Sequence, residues 1–104
     1  MKESDLHALL VAEFGASWQD QTVNGLLLAD AIAAPKEVLA QDTFQDGKAV
    51  HIWLLARDRS PAEEGLFVGF SSQRQEFCLA EFSPKGAPYI LGFHATFRDA
   101  IEAM

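Results

Sequence analysis

The sequence predicts an α+β domain: N-terminal helices, a four-stranded antiparallel meander, and a C-terminal helix packed on the sheet. Three observations lead there. Apolar side chains recur at helical spacing near both ends of the chain. Between residues 49 and 93, short apolar runs alternate with turn formers. The stretch from 18 to 34 is rich in alanine and poor in β-branched residues. With 104 residues, one domain spanning 1–104 is expected.

The first helix is predicted over 4–14. Leu6, Leu9, Leu10, Val11 and Phe14 form its apolar stripe. Ser4 is placed to cap it, Asp5 suits the positive end of the helix dipole, and Gly15 is a natural stop. A second helix is predicted from about 18 to 34, opened by the pair Ser17 and Asp20. Asn24-Gly25 offers a competing hairpin turn between Val23 and Leu26. The alanines at 29, 31, 33 and 34 favour the helix, which Pro35 ends or kinks. Pro35 also suits the first position of a short third helix through Ala40.

Past Asp46-Gly47 the chain reads as strands at 49–56, 66–70, 76–82 and 89–93, with Ser-, Pro- and Gly-containing links. Ser60-Pro61-Ala62-Glu63 suits one capped helical turn. Short links favour sequential antiparallel pairing. Thr96 and Asp99 cap a final helix whose apolar face carries Phe93, Phe97, Ala100, Ile101 and Met104.

The strands are apolar on both faces. Val50, Ile52 and Leu54 oppose Trp53 and Leu55, and Leu66, Val68 and Phe70 oppose Phe67. Helices cover one face; the other must meet more helix, a second copy of the chain in a homodimer, or a ligand.

Charge is uneven. The chain carries 15 acids and 8 bases, net −7, which argues against a nucleic-acid binder, whose affinity comes mainly from neutralising phosphates. Residues 1–46 hold eight acids against Lys2 and Lys36. If that half is a helical layer, Asp20, Asp30, Glu37, Asp42 and Asp46 form an acidic surface able to steer a basic protein partner. The expected function is a small protein-interaction module of the inhibitor, immunity or regulatory-adaptor kind. The alternative is a small-molecule-binding domain or minor enzyme with an aromatic pocket between sheet and helices. Trp18, His51, Trp53, Phe67, Tyr89 and His94 are the candidates to line such a pocket or an interface.

Chemistry-bearing motifs are sparse. His7, His51 and His94 lack metal-ligand spacing, and no CxxC, Walker or G-x-G-x-x-G pattern occurs. No cofactor, metal site or catalytic residue is therefore assigned. Cys78 sits between Phe77 and Leu79 with Glu76 and Glu81 near, an environment that keeps a thiol neutral. Glu63-Glu64 beside Arg57 and Arg59 reads as solvated ion pairing. The acidic start, without a positive region and apolar stretch, and the single cysteine lead to a cytoplasmic expectation. No apolar run reaches membrane-spanning length, so no membrane partner is expected.

Overall fold

The computed structural model describes residues 1–61 and 64–104. The helical turn expected at 60–63 and the Glu63-Glu64 pair each include residues outside that set. Helix α1 spans Glu3–Phe14 and buries Leu6, Leu10 and Phe14, while Val11 is exposed. The cap is Lys2, two residues earlier than the Ser4 expectation, because the Asp5 carboxylate accepts the Lys2 N–H at 2.8 Å. Gly15 ends the helix at φ +92°, where a side chain would be strained.

The long second helix does not form. Trp18–Asp20 is a single 3₁₀ turn, followed by strands β1 (Thr22–Val23) and β2 (Leu26–Leu27). Asn24 and Gly25 lie at φ +52° and +76°, the left-handed pair a two-residue hairpin requires. Asn24 Nδ2 then donates to the carbonyls of Ile101 and Met104 at 3.2 and 3.3 Å, so the hairpin tip clips the end of the last helix. Only Leu28–Ala31 remains helical, as α2. Residues Ile32–Asp42 form a long strand, β3, where a helix end and a short third helix were expected. Alanine's helix preference, a few tenths of a kcal/mol per residue, is overridden there by tertiary pairing.

β3 changes the architecture. The expected meander is present as β4 (Lys48–Arg57), β5 (Leu66–Ser71), β6 (Glu76–Ser83) and β7 (Gly86–His94), paired antiparallel in sequence. β3 pairs antiparallel with β4 and parallel with β7, closing a five-stranded barrel. Closure answers the problem of a sheet apolar on both faces: one face becomes the barrel interior. Ala40, Ile52, Leu54, Phe67, Cys78, Ala80 and Ile90 pack there. A barrel of so few strands is narrow, which is why Ala40, Gly69, Cys78 and Ala80 stand where larger residues would not fit. A Cβ on Gly69 would lie 3.0 Å from Cys78 Sγ and 3.1 Å from Ile52 Cδ1.

The outer face is covered on one side. Leu55, Ala56, Val68 and Phe77 pack against α1, α2, the 3₁₀ turn and α3 (Phe97–Glu102). Phe97 meets Phe14 and Phe77 edge-on at 6.1 and 5.8 Å between ring centres. Each fully buried Leu or Phe here contributes about 1.5–3 kcal/mol. Glu13 ties the two terminal helices together by accepting the Phe97 and Arg98 N–H groups at 2.9 and 2.6 Å. Thr96 accepts the Asp99 N–H at 3.1 Å, the expected cap. Among the described residues no helix is long and apolar enough to cross a membrane.

Candidate functional site

The barrel closes at one end and splays at the other. β3 and β7 are bridged only at Gln41↔Tyr89 and Asp42↔Ile90. Toward its start, β3 runs past the beginning of β7 without a bridge, and a cavity of about 490 Å³ fills the gap. Ala34, Lys36 and Val38 line it from β3, Leu54 and Arg57 from β4, Phe82 and Ser83 from β6, and Gly86 and Pro88 from β7. Most of the wall is carbon. Among the described residues, the charged ones lining it are both cations, Lys36 and Arg57.

A β-bulge delivers Arg57 to this mouth. In β4, Val50, Ile52 and Leu54 face the interior core. The register with β5 shifts between Leu54 and Ala56, so Leu55 and Ala56 both pack toward the helices. The strand's alternation resumes one residue late, and Arg57 takes the mouth-facing position. Its guanidinium lies 5.2 Å from the centre of the Phe82 ring, and Nη2 donates to the Pro61 carbonyl at 2.7 Å. Its Nε is buried without a partner among the described residues.

Asp58 fixes the chain that follows. Its carboxylate accepts the Ser60 and Leu66 N–H groups at 2.9 and 2.8 Å. Burial pushes this carboxyl up, but those N–H groups, the Ser60 hydroxyl and the Arg57 charge outweigh it and hold the group below its ordinary value. Gly65, at φ +75°, is required beside it, since a Cβ there would lie 2.6 Å from the Asp58 carboxylate.

The edges flanking the gap carry prolines. Pro35 falls in the irregular stretch of β3 between Ile32 and Lys36, and Pro88 lies in β7. Each removes a backbone donor, and Lys36 adds an edge charge, features that resist pairing with another strand. The gap is therefore built for side-chain contact, not for an added peptide strand. A second cleft, about 530 Å³, lies between the β1–β2 turn and Asp58–Ser60. It is shallow, polar and spanned by Arg59 Nη2 donating to Gly25 O at 3.1 Å.

The aromatic pocket expected between sheet and helices is filled by core side chains, and its candidate residues are dispersed. Trp18 is buried against α1, its ring 5.4 Å from His7. Trp53 packs half-buried at the edge of the helical core, and Phe67 is sealed inside the barrel. His51 is exposed, 3.5 Å from Glu37 across the β3–β4 pair. Tyr89 donates to Glu81, and that bond, together with burial and the Glu81 charge, raises its pKa. His94 ends β7 opposite Phe77.

The five acids do not share a helical face, because the helix meant to carry them is not formed. Asp20 and Asp30 are exposed on the 3₁₀ turn and α2, Glu37 on β3, and Asp46 in the β3–β4 turn at φ +56°. Asp42 is completely buried, accepting the Phe44 N–H at 2.9 Å and the Gln45 side-chain amide at 2.6 Å. It serves the closed end of the barrel and offers nothing to a partner. Cys78 is sealed in the interior, and burial, with a further push from the Asp42 charge, raises its pKa to about 12. Such a thiol is not a nucleophile at neutral pH.

Lys36, Arg57, Phe82 and Pro88 were not singled out by sequence reasoning. Pro35-Lys36 and the Pro84–Pro88 stretch did carry a signal, since proline and lysine mark sheet edges. Arg57 carried none, because its orientation depends on a bulge. Comparison of the chain with protein-family models, with curated proteins and with solved structures finds no match.

Proposed function

We propose that this protein is a binding domain that holds a small, largely apolar molecule in the open mouth of its barrel. The observation that carries this reading is the 490 Å³ apolar cavity at a place where strand pairing stops. That size falls within the roughly 300–1,000 Å³ common for ligand sites, and barrel mouths are a recurrent location for them. The reading replaces the pocket between sheet and helices with one inside the sheet's own curvature. It assigns no bond-making step, since the lining side chains among the described residues offer no paired nucleophile and base.

The neutral fluorophore phenylnaphthylamine tests it. Its emission should rise saturably, with one molecule per chain. Ala34→Trp, which places an indole in the mouth from an exposed position, should weaken binding at least tenfold while leaving the melting temperature unchanged. Unsaturable binding, or binding indifferent to Ala34→Trp, overturns the reading.

A second reading keeps the acidic docking surface, moved to the N-terminal cap. Residues 1–31 carry Glu3, Asp5, Glu13, Asp20 and Asp30 against Lys2 alone, and all five acids are exposed. A basic protein held there would dissociate as salt rises and would bind more weakly to the Asp20→Asn, Asp30→Asn double variant.

A further inference from the structure

We infer that the ligand of the barrel mouth is an amphipathic anion: an apolar body with a single carboxylate that seats against Arg57 and Lys36. This rests on reading the mouth as a ligand site and adds the ligand's charge and orientation. Three observations converge on it. Among the described residues, both charged side chains on the wall are cations, in a chain whose net charge is −7. An acidic protein that merely needed a soluble rim would place carboxylates there as readily. Next, Arg57 arrives at the mouth only because of the bulge at Leu54–Ala56; regular alternation would have put Ala56 in that place. Finally, Arg57 is held in place: its Nη2 is anchored on Pro61 O at 2.7 Å and its guanidinium lies 5.2 Å from the centre of the Phe82 ring.

Arg57 lines the mouth, and a carboxylate is the acceptor that best matches a guanidinium. The anchored guanidinium is thus pre-oriented, so little rotamer freedom remains to be lost when the anion binds. Lys36, exposed on the neighbouring strand β3 where it pairs with Leu54, supplies the second positive charge at the rim. The apolar body then lies against Val38, Leu54 and Phe82. It does not enter the barrel, because Phe67, Ile52 and Ile90 already fill the interior. This geometry sets a ligand of modest length whose head stays at the rim.

Isothermal titration of the full chain with octanoate, octanol and octylamine separates the possibilities. The tails are equal, so only the head group differs. Octanoate should bind at least tenfold more tightly than octanol, and octylamine should not bind measurably. Arg57→Gln and Lys36→Gln should each weaken octanoate about tenfold and leave octanol unchanged; Lys36 is exposed, so its variant tests the idea even if the Arg57 variant folds poorly. Octanol binding as tightly as octanoate, with neither variant changing the ratio, overturns this inference while the mouth stands as an apolar site. If none of the three binds, the site itself falls, and this inference with it.

Discussion

The two ends of the barrel are made from the same five strands, yet one is sealed and the other left open. At the sealed end β3 and β7 are bridged, Thr43 Oγ1 donates to Ile90 O at 2.8 Å, and the buried Asp42 carboxylate caps the turn that follows. At the open end the same two strands diverge, prolines occupy both edges, and a bulge turns an arginine toward the gap. The sealed end shows how buried polar groups are satisfied within the chain. At the open end, among the described residues, the Arg57 Nε is buried without a partner beside an apolar wall. Sites where a fold stops satisfying itself are where a ligand gains most from arriving.

Three experiments would break or sharpen this contrast. The largest effect concerns Cys78, inside the barrel and within the field of Asp42. Its folded pKa is raised from 9.0 to about 12. The folded protein keeps the proton while the unfolded chain releases it above about pH 9, so its full contribution is present below that pH. Stability should then fall by about 1.4 kcal/mol per pH unit between 9.0 and about 12. Tyr89, whose pKa is also raised, adds a loss of the same sign above its unfolded value. Urea unfolding of Cys78→Ala alongside the parent chain isolates the thiol: the variant's curve should decline less steeply over that window. Equal slopes would mean that the interior is open to water.

The next effect compares the ends directly. Asp42→Ala removes an acceptor from the Phe44 N–H and the Gln45 amide and should cost about 1–3 kcal/mol in denaturant unfolding. Lys36→Ala, at the open end, should stay within about 0.5 kcal/mol. Comparable losses at both ends would erase the distinction.

The smallest expected effect on stability is at the open edges. Replacing Pro35 and Pro88 with valine should shift stability by less than about 1 kcal/mol, yet restore two backbone donors beside an unbridged gap. Light scattering should then report self-association through strand addition that the parent chain does not show. A double variant no more associated than the parent would mean that the prolines are not what keeps the gap free of strands.

How much of this could be read from the residues alone varies along the chain for physical reasons. Helices α1 and α3 were legible because Leu6, Leu10 and Phe14, or Phe97, Ala100 and Ile101, each fall on one stripe with local caps. β4 to β7 were legible because short turns force neighbours to pair. Asn24-Gly25 spoke for a hairpin, and the alanines that followed spoke for a helix; the turn prevailed because its tip gains the Ile101 and Met104 carbonyls. Of the candidate site, Pro35 reads as a helix breaker, and neither its place on a sheet edge nor its convergence with Arg57 and Pro88 was visible.

The sequence by itself determined the two terminal helices, the run of antiparallel strands, the inert cysteine and the excess of acid. Each follows from local spacing or composition, which needs no knowledge of distant partners. Only the tertiary structure decided that residues 32–42 form a strand, that the sheet closes, that Asp42 is buried, and that Arg57 faces the mouth. Those outcomes depend on pairing between residues far apart in the chain, where the free energy of closing a barrel outweighs alanine's small preference for helix. A bulge then sets the direction of a side chain that no local pattern specifies.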